Sequence, residues 1–174
     1  MSEPIIRPAA AGDIAAITAI YAHAVRYGTA TFEIDPPSES EMADRFRALS
    51  EAHLPYLVAE REGEVRGYAY AALYRTRVAY RYTLEDSIYV ALDWHRRGIG
   101  RALIDRLLSE AVTRGFRQMI AVIGDSGQTA SIALHRAAGF RMVGTFEAVG
   151  FKFDRWIDTV LMQRPLGKGA SASP

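Results

Sequence analysis

A short strand pattern, Ser87-Ile88-Tyr89-Val90, runs into a turn, and Gly98-Ile99-Gly100 then opens a helix with Ile99, Leu103, Leu107 and Leu108 on its apolar side. This strand, glycine loop and helix constrain the fold more than any other feature of the chain. Glycines let a large anion approach the backbone, and the unpaired N–H groups of a first helical turn can bond its oxygens. Arg96 and Arg97 stand at the positive end of the helix dipole, where cations are unfavourable unless a bound anion reverses the penalty. Two readings follow from the local chemistry: a seat for a phosphate-like anion, or a glycine turn with two solvated arginines. Other phosphate loops fit less well. A P-loop ends in Gly-Lys-Ser/Thr, whereas Gly100 is followed by Arg101-Ala102. A dinucleotide fingerprint needs a third glycine where Leu103 stands, and it belongs near the first strand.

Around this unit the pattern is that of one α/β domain. Ile5-Ile6-Arg7 reads as a first strand, and Asp13 as the N-cap of a helix carrying Ile14, Ile17, Ile20, Tyr21 and Val25. A loop through Asp35-Pro36-Pro37 leads to a second helix, which Ser38 and Glu41 open as a capping box. Strands at 56–60 and 65–70 flank Glu62-Gly63 as a hairpin, and a further strand is expected over 84–92. The third helix is expected from about Gly98 to Arg114, stopped by Gly115. Met119-Ile120-Ala121-Val122-Ile123 has the composition of a strand buried on both faces. A helix ending at Gly139 and strands around 142–146 and 156–162 complete the order β-α-α-β-β-β-α-β-α-β-β. The expected architecture is a single domain over 1–166, with a mixed, mostly antiparallel sheet flanked by helices and a flexible polar tail over 167–174.

The 174 residues suit one core, and a net charge of +1 argues against nucleic acid as partner. No cysteine is present, which excludes disulfides, thiolate metal sites and a cysteine nucleophile. Met1-Ser2-Glu3-Pro4 has no signal pattern and no apolar run spans a bilayer, so a cytoplasmic protein without membrane contact is expected.

The loop His95 to Gly100 resembles the acetyl-CoA signature of the GNAT superfamily, Gln/Arg-x-x-Gly-x-Gly/Ala. Ser131-Ile132-Ala133-Leu134-His135-Arg136-Ala137-Ala138-Gly139-Phe140 resembles that superfamily's second cofactor helix and the strand after it. More narrowly, the chain resembles the phosphinothricin and methionine sulfoximine N-acetyltransferases. The matching segments are Thr29-Ala30-Thr31-Phe32-Glu33, the stretch from Tyr80 to Val90, Ala121-Val122-Ile123-Gly124 and the stretch from Gly150 to Asp158.

The resemblance implies an acetyl-CoA-dependent N-acetyltransferase without a metal. It implies cofactor contacts from Ile88, Tyr89, Val90, His95, Arg96, Arg97, Gly98, Ile99, Gly100, Arg101, Gln128 and Ser131. His95 replaces the usual Gln or Arg. Gln128 replaces an asparagine, and its extra methylene either preserves that amide contact or displaces it. The strand before the loop is expected to carry a bulge and to splay from its neighbour, freeing backbone N–H groups for the pantetheine arm. Glu85 is the expected base that takes the ammonium proton, with Asp86 as its local competitor, because adjacent strand residues face opposite ways. His135 stands where many relatives have a tyrosine acid; it either donates to the leaving sulfur or only packs and caps. His23 and His53 are expected at the surface.

The resemblance also implies a small amino-acid substrate with an oxidised phosphorus or sulfur, which offers a carboxylate and a polar side-chain head that arginine forks bind well. Arg75, Arg77 and Arg81, with Thr76, Phe32, Tyr74, Glu85, Asp86 and Ser87, are the expected substrate residues; the alternative for the arginines is a solvated loop face. Lys152, Arg155 and Trp156 serve the pocket or a homodimer contact. The other functional readings are acetylation of a different amine, such as a peptide N-terminus, polyamine or antibiotic, and a non-catalytic acyl-CoA-binding module.

Overall fold

The structure, a computed structural model, describes residues 3–174; Met1 and Ser2, the start of the segment read for a targeting signal, lie outside them. Seven strands and four helices follow one another in the expected order. They are β1 (Ile5–Pro8), α1 (Ile14–Tyr27), α2 (Glu39–Glu51), β2 (Tyr56–Arg61), β3 (Glu64–Leu73), β4 (Thr83–Val90), α3 (Ile99–Thr113), β5 (Gln118–Gly124), α4 (Thr129–Ala137), β6 (Arg141–Lys152) and β7 (Arg155–Pro165). The sheet order is β1-β2-β3-β4-β5-β7-β6. Among the described residues only the β4–β5 pair is parallel, and α3 supplies the crossover that a parallel pair requires.

Each face of the sheet has its own core. On one, Leu103, Ile104, Leu107 and Leu108 of α3 pack on Leu57, Ala69, Ala71, Leu84 and Met119. Small alanines on the central strands let that helix lie close. On the other, Ile14, Ile17, Tyr21 and Val25 of α1, with Met42 of α2, cover Tyr56, Val58 and Tyr68.

The helix signals act with one exception. Ser38 Oγ accepts the Glu41 N–H and opens α2. At the C-termini, Gly115 (φ +83°) and Gly139 (φ +87°) take the left-handed conformation and return their N–H groups to Val112 and Arg136, while Phe116 and Phe140 return theirs to Ala111 and His135. Asp13 stands at the N-cap position of α1 but makes no cap bond into that helix. Arg7 captures its carboxylate at 2.7 and 2.9 Å, and the Ala10 N–H takes the rest.

Three boundaries differ from expectation. β4 ends at Val90, and Leu92–Trp94 form a 3-10 turn because Trp94 is buried there. β6 and β7 are much longer than their apolar cores, since β6 is an edge strand exposed along most of its length. Val122 in β5 is partly exposed rather than buried, because β4 and β5 diverge beside it. In the segment after 166, expected to be flexible, Gly169 donates to Leu166 O and Arg117 reaches Ser173 O.

Candidate active site

The site begins where two parallel strands part. Pairing between β4 and β5 runs from Thr83–Gln118 to Asp86–Ala121 and stops; beyond it β5 pairs only with β7. The expected splay is therefore present. The expected bulge is not: β4 pairs with β3 without a register shift from Leu84 to Val90. The opening comes from divergence of β5 alone. Because the Ala91 N–H bonds Arg66 O on the β3 side, alternation turns the N–H groups of Ile88 and Val90 toward the open side. A cleft of about 60 Å³ occupies the fork, lined by Asp86, Ile88, Tyr89, Val122, Gln128 and His135 among others. A larger hollow of about 390 Å³ between α1 and α2 contains none of the expected site residues.

At the mouth of the fork stands the anion loop. Gly98 (φ +83°) adopts the left-handed conformation just before α3, and Arg96 (φ +58°) shares that region. Ala102 N–H makes the first return bond, to Gly98 O, so the N–H groups before it face outward. Gly100 has a second reason to be glycine: a β-carbon there would press on Leu134 of α4 at 3.3 Å. His95 Nε2 lies 3.0 Å from Val90 O and pins the loop to the end of β4. Arg96 and Arg97 are exposed, and the Arg97 guanidinium rests 4.8 Å from the Trp94 ring centroid. Arg101 turns away from the loop: it pairs with Asp105 at 2.6 Å and donates to Ala137 O.

α4 supplies the inner wall. Ser131 and Gln128 line the cleft, and Gln128 Nε2 donates to Thr29 Oγ1 at 3.1 Å, so half of its amide is committed to the α1–α2 connection. His135 is buried at 4% exposure. Its Nδ1 lies 2.8 Å from Ser131 O and its Nε2 2.9 Å from Asp86 Oδ2. Burial alone would lower the His135 pKa, but the Asp86 hydrogen bond, the Asp86 charge and the Ser131 carbonyl together raise it.

Glu85 and Asp86 divide the two faces of β4. Asp86 is turned to α4, and Glu85 to the α1–α2 face, half-buried beside Tyr70 and Arg75. Burial and the Asp86 charge push the Glu85 carboxyl up, and Arg75 only partly offsets them. On that face Tyr68 stacks on Tyr89 with centroids 5.3 Å apart, and Tyr21 meets Tyr89 edge-on at 5.0 Å. Burial drives the Tyr21 hydroxyl up to about 12, so it stays protonated.

Arg75 is the only one of the three expected arginines that the structure brings to Glu85. It stacks on Tyr74, whose ring meets Tyr80. Arg81 lies on Tyr82 and donates to Val78 O; Arg77 and Thr76 are exposed. Phe32 reaches across from the α1–α2 connection and packs against Gly150 of β6, where a β-carbon would overlap its ring. Lys152 fastens the same connection: its buried ammonium donates to Gly28 O and Thr31 O, each at 2.9 Å. Arg155 is tied to Asp125, and Trp156 is exposed.

Two further contacts steady the α1–α2 connection. Arg45 of α2 holds Glu33 at 2.6 Å, and Tyr21 Oη bonds Thr31 Oγ1 at 2.9 Å. Their partners are distant in sequence, so no local spacing announces them.

A family model described as an acetyltransferase (GNAT) domain matches residues 6–161. The chain belongs to the GNAT acetyltransferases. Its GNAT relatives include the phosphinothricin N-acetyltransferase of Alcaligenes faecalis, 56% identical over 162 residues, covering 93% of this chain and 82% of that one. The L-methionine sulfoximine/L-methionine sulfone acetyltransferase of Salmonella typhimurium is 38% identical over 166 residues, covering 95% of this chain and 96% of that one. The crystal structure of a GNAT phosphinothricin acetyltransferase from Sinorhizobium meliloti in complex with acetyl-CoA superposes with a TM-score of 0.97 at 49% identity, covering 99% of this chain and 94% of that one. This GNAT chain is an N-acetyltransferase, and acetyl-CoA is its acyl donor. The residues present fit that donor: a glycine loop with outward N–H groups, an open strand edge and a cleft whose Asp86 Oδ1 is buried without a hydrogen-bond partner.

Proposed function

We propose that the protein transfers the acetyl group of acetyl-CoA to the amino group of a small amino-acid analogue such as methionine sulfoximine, methionine sulfone or phosphinothricin. The observation that carries this reading is the fork at Asp86–Ala121. It joins a cofactor cleft on one side of β4 to a half-buried carboxylate, Glu85, on the other. The relatives' substrates supply the chemical class.

Glu85 takes a proton from the substrate ammonium, and the burial that raises its pKa makes it a stronger base than an exposed carboxylate. The freed nitrogen attacks the acetyl carbonyl, whose developing charge the Ile88 and Val90 N–H groups stabilise. The pyrophosphate rests on residues 95–100, with Arg96 and Arg97 beside it. Arg101 is reserved for the α3–α4 contact, and Ser131 and Gln128 flank the pantetheine arm. The departing sulfur is protonated from the His135 side of the cleft. Arg75 holds the substrate carboxylate or its oxidised head, while Phe32, Tyr74 and Ser87 shape the pocket. Arg77, Thr76 and Arg81 stay on the solvated face of the loop.

The protein acts as a cytoplasmic homodimer in this reading. Among the described residues no helix is long and apolar enough to cross a membrane. Val143, Phe146, Val149, Phe151, Phe153 and Trp156 form an exposed apolar run on the β6–β7 edge, of a kind that marks contact surfaces. The test is thiol release from acetyl-CoA with the three analogues, beside a peptide N-terminus and a polyamine. Release with the analogues alone supports the proposal; release only with the peptide or polyamine overturns the substrate class. Arg75→Ala should raise KM for the analogue, and an unchanged KM would move the oxyanion seat elsewhere.

A further inference from the structure

The two nitrogens of the His135 ring are both engaged inside the protein. Ser131 O can only accept, so Nδ1 carries a hydrogen and donates it. On the other side, Nε2 and Asp86 Oδ2 at 2.9 Å must share one further proton, since two bare acceptors would repel. The pair is therefore an imidazolium–carboxylate or an imidazole–carboxylic acid, and in either form it stores a single transferable proton. Its location is specific. Asp86 is the last β4 residue paired with β5, so the pair sits in the crotch of the fork, and both residues line the cleft. Asp86 is 6% exposed and His135 4%, and the second oxygen, Oδ1, is buried with no donor. An orphaned carboxylate oxygen costs free energy unless a ligand group meets it.

We infer that Asp86 is the positioning residue of the acid step: it holds the proton on the His135 side of the cleft and presents the pair to the sulfur of the acyl donor. This rests on the acetyl-transfer reading and removes Asp86 from substrate recognition, because its side chain is on the face of β4 opposite Glu85. As the C–S bond breaks, its electrons remain on sulfur. The shared proton forms the S–H bond, leaving a neutral imidazole and a carboxylate. A solvent proton then restores the pair. The other charged groups near the pair are Glu85 on the far side of β4, Arg101 of α3, bonded to Ala137 O, and Arg164 of β7, bonded to Ala138 O. None of them bonds the His135 ring.

Two measurements test the inference. Nitrogen NMR of the His135 ring in the unmodified protein reads the store directly. The ring should remain doubly protonated above the usual histidine value near 6.5 and become a neutral tautomer in Asp86→Asn. A neutral ring at pH 6 in the parent, together with an ionised Asp86, overturns the inference. Kinetically, Asp86→Asn should lower kcat on the order of a hundredfold, with KM for acetyl-CoA close to the parent value. The alkaline limb of the kcat profile should disappear. Asp86→Asn/His135→Asn should be no slower than either single variant, because both remove the same proton. An unchanged kcat in Asp86→Asn, or additive losses in the double variant, contradicts it. Acetyl-CoA binding by calorimetry confirms that each variant is folded. If the parent acetylates none of the analogues, the proposed substrate fails, while the NMR result still decides the status of the pair.

Discussion

Glu85 owes its raised pKa first to burial and then to the Asp86 charge beside it, with Arg75 pulling the other way. If it is the base, kcat/KM for the amine should rise with pH through that raised value and flatten above it. Glu85→Gln should lower kcat by about 10² to 10⁴ while calorimetric acetyl-CoA binding stays close to the parent; equal activity would remove Glu85 from the role. His135 makes a separate prediction about stability. Its folded pKa lies above the unfolded value of 6.5, so the native state holds the proton longer. The pair's contribution is complete below pH 6.5 and is lost as pH rises through the folded value. Urea unfolding from pH 6 upward should show this decline in the parent and not in His135→Asn. A parent stability that climbs over the same window would contradict the assignment.

At the scale of elements, the pocket is built by close approaches between segments far apart in sequence. The α1–α2 connection is held from three sides: Lys152 takes its carbonyls, Gln128 takes Thr29, and Gly124 and Gly150 leave room for its backbone and for Phe32. Gly150→Ala should displace the Phe32 ring, costing about 1–3 kcal/mol of stability and raising KM for the amino-acid substrate more than for acetyl-CoA. A variant with parent stability and KM would show that Phe32 does not depend on this contact. The order of elements was readable because each helix carries its own periodicity and stop, as Ser38, Gly115 and Gly139 do. The anion loop was readable because its parts are adjacent in sequence. Asp13 was misread because a tertiary partner, Arg7, competes for the carboxylate that a local rule assigns to the helix. Val122 was misread because strand divergence is a property of two strands and leaves no mark on one. The Asp86–His135 pair spans 49 positions, and nothing in either segment names the other.

For the molecule as a whole, the exposed apolar β6–β7 edge predicts self-association. Phe146→Asp/Val149→Asp should shift sedimentation from dimer to monomer without unfolding the chain; a parent that sediments as a monomer at micromolar concentration would remove the dimer. The same edge carries Gly150 and Lys152, which pack against the α1–α2 connection. If the β4–β5 fork joins an acetyl-CoA cleft to a site for small amino-acid analogues, purified protein should release thiol from acetyl-CoA in the presence of methionine sulfoximine, methionine sulfone or phosphinothricin, with the acetylated product confirmed by mass. Thiol and N-acetyl product should appear in equal amounts with at least one of the three. Thiol release with none of them, in a protein that binds acetyl-CoA, would contradict it.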